Sequence, residues 1–182
     1  MIYPLKLESA LFLAGLGLIV THALALWKAA AAQEWLRRLP RSREMGTILL
    51  IVATVWGWWL VKTIDLGEFD NWRERLLIVI PIAAVLTWMY VEEFLAARAL
   101  GMVALLAAEP LLESAFLRPE MGRLLLVVLA YVWIVFAIFW IGMPYTLRDQ
   151  IAWVTSSPQR WRAGAILGLG YGALLLLLPM TF

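Results

Sequence analysis

The sequence predicts an all-α fold, a polytopic transmembrane helical bundle forming a single integral-membrane domain over 1–182. Three observations predict it. Hydrophobic residues make up 64% of the chain and charged residues 15%, whereas a soluble domain carries roughly a quarter charged residues and less than half apolar ones. Mean hydropathy is +0.85. Uncharged runs of 16 to 24 residues recur along the chain, close to the roughly 17–25 residues a spanning helix needs.

The first run, Ser9 to Trp27, is uncharged for 19 residues, and the second, Met45 to Val61, for 17. Between them lie Lys28, Arg37, Arg38, Arg41 and Arg43 against Glu34 and Glu44. Basic loops stay in the cytoplasm, so this loop predicts an N-terminus outside the cell membrane. The third run, Leu76 to Val91, has 16 uncharged residues and includes Pro81; the fourth, Leu124 to Leu147, has 24. The last begins at Ala163, carries no charge for 20 residues and follows Ser157-Pro158, an N-cap serine with proline at the first helical position. These five runs are the predicted spans.

The segment Phe94 to Leu117 divides the alternatives. Only 10 residues separate Arg98 from Glu109, and Arg98, Glu109 and Glu113 fall on one narrow stripe of a helix. That pattern predicts an in-plane or re-entrant helix, bent or broken at Pro110. The alternative is a sixth span with the stripe facing other helices. No Gly or Pro occurs from residue 82 to 100, which argues against a tight hairpin near Val91–Phe94. Five spans plus the in-plane helix is therefore the expected topology.

Small residues mark candidate packing faces. Gly164, Gly168 and Gly172 recur every fourth residue of the last helix, and Ala10, Ala14, Gly17 and Thr21 form a similar row on the first. Rows of this kind let membrane helices approach closely, within one bundle or toward a neighbouring subunit. Ala97, Gly101, Ala104 and Ala108 repeat the spacing in the uncertain segment.

Polar candidates are few. His22 is the single histidine and there is no cysteine; thiolate sites are excluded, and no two-histidine metal site or bis-histidine haem is available. No metal or cofactor is expected, and no nucleic-acid-reading element is present. Glu92-Glu93 followed by Arg98 is similar to the paired-glutamate motif of intramembrane CAAX-type proteases. The arginine comes one residue too late, however, and no histidine follows it. The bland reading of the pair is carboxylates at the interface end of a helix. The abundance of Ala, Gly, Leu, Trp and Arg fits a GC-rich bacterial genome and an inner-membrane address. The expected function is a non-catalytic structural or scaffold subunit, set in the lipid bilayer against a membrane-protein partner or further copies of itself. A small transporter or channel would instead use His22, Arg98, Glu109 or Glu113 along a cavity. A membrane enzyme would use Glu92 and Glu93.

Overall fold

The computed structural model describes residues 2–91 and 93–181, and among them there are helices and connections but no strand. The α-helices in chain order are α1 (Leu7–Trp27), α2 (Ala29–Arg38), α3 (Arg43–Thr63), α4 (Arg73–Tyr90), α5 (Leu95–Ala115), α6 (Arg123–Gly142), α7 (Tyr145–Thr155) and α8 (Pro158–Leu177). Five stretches are long and apolar enough to cross a membrane: α1, α3, α5, α6 and Pro158–Met180, which contains α8. Two starts are capped as the sequence dictates. Ser42 accepts from the Met45 amide and Ser157 from the Gln159 amide, with Pro158 at the first helical position.

The number of such helices matches the expected five spans; the set does not. Phe94 to Leu117, expected in-plane, contains one of the five, and Leu76 to Val91, expected to span, is not among them. Nine residues of α5 are buried and none of α4, so α5 is the axis of the bundle. Pro110 stands inside α5 without ending it. The reversal before α5 forms without glycine or proline, because Phe94 takes the left-handed conformation (φ 57°); Leu117 (φ 55°) does the same after the helix. Such a residue costs roughly 1–2 kcal/mol outside glycine, a cost offset here by the packing of the helix between the two. The long fourth run also divides: α6 ends at Gly142 and α7 starts after Pro144.

Side-chain contacts fix the direction of each long helix. The indoles of Trp88 and Trp58 donate to Thr47 Oγ1 (3.1 Å) and the Leu77 carbonyl (3.2 Å), which sets α4 antiparallel to α3. The starts of α3 and α5 meet where Gly46 lies against Leu95 and Ala96, so those two run parallel. Gly101 meets Ala137 and Ile141, while Ala108 and Leu111 share a core with Leu126 and Leu129; α6 therefore returns antiparallel to α5. Gly15 faces Gly172, and Trp161 donates to the Ala25 carbonyl at 3.0 Å, making α8 antiparallel to α1. The start of α1 and the end of α8 lie at one end of the bundle, where Leu7 joins the core on which Leu178 packs. The opposite end holds α2 and α7, tied together by Arg37 and Thr155. The expected topology would have placed the two chain ends on opposite sides.

Candidate functional site

The sequence candidates separate into three places. The first is the α1–α8 seam. A Cβ on Gly15 would lie 2.7 Å from the Gly172 carbonyl oxygen, and one on Gly172 would lie 2.8 Å from the Gly15 carbonyl oxygen. The two backbones thus touch with no room for a side chain. One turn along, a Cβ on Gly168 would fall 2.2 Å from His22 Cδ2. The imidazole rests directly on that glycine. Gly164 meets only Val154, at 3.8 Å, and Gly17 has open space within 4 Å. Ala10 is buried and Ala14 packs against the same core; Thr21 is exposed and donates to its own helix at the Gly17 carbonyl.

His22 Nδ1 lies 2.8 Å from the Leu18 carbonyl oxygen. A carbonyl only accepts, so Nδ1 is the donor in that bond. The ring borders a groove of about 740 Å³ between α1, α2, α7 and α8, whose walls include Ala25, Ala32, Trp35, Trp161 and Ala165. The groove is almost wholly apolar.

The second place is the polar stripe of α5, which the helix stretches out. Arg98 and Glu109 are eleven residues apart, or about 16 Å along the axis, and so serve opposite ends of the bundle. Arg98 Nη1 donates to the Ile141 carbonyl at 2.8 Å, at the exposed end of α6's hydrogen-bond ladder; its Nε is buried without a partner among the described residues. Glu113 accepts from the backbone amides of Ile2 and Tyr3, pinning the N-terminal segment to the far end of α5. Glu109 lines a cavity beside it with Leu105, Leu112 and Ile134. The Tyr3 hydroxyl receives the Trp56 indole N–H at 2.7 Å. Burial, and then the charges of Glu109 and Glu113, push the Tyr3 phenol above its ordinary value, while the Trp56 bond opposes the rise. Glu93 is exposed in the α4–α5 turn, and Glu92 lies outside the described residues.

The third place was not assembled from the sequence. Arg37 from the last turn of α2, Arg41 from the following 3-10 turn (Leu39–Arg41) and Arg148 from α7 line one cavity of about 410 Å³. Arg37 Nε donates to Thr155 Oγ1 (3.0 Å) and its Nη2 to the Thr155 carbonyl (2.8 Å). The Thr155 hydroxyl donates onward to the Ile151 carbonyl. Arg37 and Arg41 stood out as a basic loop, but nothing local connects them to residues more than a hundred positions later. Among the described residues no group of three or more His, Asp and Glu is placed to hold a metal ion.

Tryptophan and base alternate at both ends. Arg43 lies over Trp88 and Arg160 over Trp153 at the end with α2 and α7; Lys62 lies over Trp58 and Arg75 over Trp72 at the other. Each pairing sets an amphipathic ring beside a cation where an apolar bundle gives way to polar surroundings. The chain matches no protein-family model, no curated protein and no solved structure.

Proposed function

We propose that this chain is a non-catalytic integral-membrane scaffold subunit, crossing the bilayer six times through α1, α3, α4, α5, α6 and α8. The observation that carries the scaffold reading is what the charged and titratable side chains of the helices do. Arg98 holds the end of α6, Glu113 holds the N-terminal segment, and His22 bonds its own helix while packing on Gly168. These groups serve backbone, in the manner of polar residues that knit membrane helices together.

Six crossings agree with the alternation of helix directions. The eighteen residues of α4 are about 27 Å long at about 1.5 Å per residue, near the thickness of the hydrocarbon core. Charge supports an orientation. The end with α2 and α7 gathers Lys28, Arg37, Arg38, Arg41, Arg43, Arg98, Arg148, Arg160 and Arg162, and the other end has Lys6, Lys62, Arg73, Arg75, Arg118 and Arg123. The nine-to-six excess supports a cytoplasmic address for the former, and with it an outside position for the start of α1 and the end of α8. Partner chemistry follows from the outer faces: Ile78, Ile82 and Val85 on α4, and Val128, Val135 and Phe139 on α6, are exposed apolar surface suited to lipid or to another membrane helix.

The native lack of cysteine makes the test clean. In intact cells a Ser42→Cys chain resists an impermeant thiol reagent until lysis, and a Thr181→Cys chain is labelled directly. Protection of both would return the five-span topology. For the scaffold role, Gly172→Leu lowers abundance and the size of the detergent-extracted assembly, whereas Glu92→Gln and Glu93→Gln leave both unchanged. Normal assembly of the glycine variant, with functional loss confined to the glutamate variants, would favour an enzyme instead.

A further inference from the structure

The arginine-lined cavity is chemically unlike the rest of the molecule. Three arginines line it and no Asp or Glu does; the remaining lining is Pro40, Ile151, Ala152 and Thr155. Among the described residues, the carboxylate bonded to any of the three is that of Asp149, which accepts from Arg148 Nε at 2.8 Å. Arg37 is held in place by its two bonds to Thr155, a residue that is itself buried. Arg41 makes no hydrogen bond or ion pair among the described residues. Arg148 is also braced from the side, its guanidinium over the Phe94 ring at 5.9 Å. Like charges around one concavity repel one another, and an anion between them relieves that repulsion; Asp149 already offsets part of it at Arg148. Guanidinium forks match the tetrahedral oxygens of phosphate, to which they donate in pairs.

We propose that this cavity binds a phosphate group, with Arg41 and Arg148 as the adjustable donors and Arg37 as the fixed one. Its position at the basic end of an apolar bundle, one turn from the Trp153–Arg160 pair, is the level at which the phosphate of an anionic phospholipid lies. A soluble phosphate from the aqueous phase presents the same oxygens. The lipid source rests on the membrane-spanning reading; the phosphate chemistry does not.

The test uses the full chain purified in a neutral detergent, with thermal unfolding followed by tryptophan fluorescence. The probes are dioctanoyl-phosphatidylglycerol, dioctanoyl-phosphatidylcholine, whose choline neutralises its phosphate, and inorganic phosphate. Phosphatidylglycerol should raise the unfolding temperature saturably while phosphatidylcholine does not. Each arginine removed should weaken the apparent affinity about tenfold, the range for hydrogen bonds to charged groups. The variants are Arg41→Gln and the Arg41→Gln/Arg148→Gln pair, with Arg160→Gln at the same end as a control for general surface charge. If the pair fails to fold, Arg41→Gln decides alone, because Arg41 holds nothing else in place. Saturation by inorganic phosphate with the same variant dependence identifies a soluble source and also upholds the site. Equal responses to the two lipids, no saturable response to any probe, or equal loss in Arg160→Gln overturns it. Insertion into phosphatidylcholine vesicles, scored separately by resistance to alkaline extraction, keeps a failure of the membrane reading distinct from a failure of the site.

Discussion

Helices α4 and α5 are neighbours in sequence and opposites in role. By charge alone α4 is the better span, since its last 15 residues carry none, while Arg98, Glu109 and Glu113 interrupt α5. Yet α4 leans on α3 with no residue fully buried, and α5 runs through the centre against both α3 and α6. The difference teaches that, in a chain apolar nearly everywhere, hydrophobicity does not separate inside from outside. Between lipid and the bundle interior there is little gain in transferring another leucine. What marks the interior is a residue that lipid cannot satisfy, such as Arg98, or one that lets backbones touch, such as Gly101.

That comparison is open to breaking. The largest effect is expected at Gly101, where a Cβ would lie 2.8 Å from the Ala137 carbonyl oxygen. Gly101→Leu should lower thermal stability in mild detergent by about 3 kcal/mol, the upper range for overpacking. Next comes Arg98→Leu, which strips the Ile141 carbonyl of its donor and should cost about 2 kcal/mol. Glu113→Gln keeps one acceptor oxygen for Ile2 or Tyr3. It should cost about 1 kcal/mol and show as faster proteolysis of the N-terminal segment. Smallest of all, Val85→Ala on the exposed face of α4 should stay within about 0.5 kcal/mol of the parent chain. A loss at Val85 rivalling that at Gly101 would mean that α4 is as interior as α5, in an assembly larger than one chain.

Much of the helical content was legible, because uncharged runs and the Ser157-Pro158 start are local signals. The arrangement was not, for reasons particular residues make plain. Gly15 and Gly17 sit two apart on α1 and so project to nearly opposite faces. Only the position of α8 decides that Gly15 touches Gly172 while Gly17 meets open space. Both faces of α1 are apolar, so no amphipathic contrast points to the right glycine. The reversal at Phe94 was missed because a left-handed phenylalanine leaves no compositional trace; the usual cue, glycine, is absent. The basic cavity depends on Arg37 meeting Thr155, 118 residues away, and contacts at that range have no local spacing rule. Glu109, Glu113 and Arg98 fall on one stripe by helical angle, but the rise of the helix carries the two ends of that stripe to different levels of the bundle.

The α1–α8 seam has a consequence for how the molecule is made. Helices α3 and α4 form a neighbouring hairpin, closed by Arg73 donating to the Val61, Lys62 and Ile64 carbonyls, so this unit is complete while the ribosome is still at work. The first helix has no such company. Its chief partner, α8, is synthesised after α2 to α7, and Trp161 must find Ala25 136 positions back along the chain. Throughout translation, the glycine backbone of α1 waits with its contact surface uncovered. Chains are read out at about 5–20 residues per second, so a separation of 136 residues means a wait of roughly 7 to 27 seconds. A nascent chain stalled before residue 158 would carry α1 without the helix that covers its Gly15 backbone.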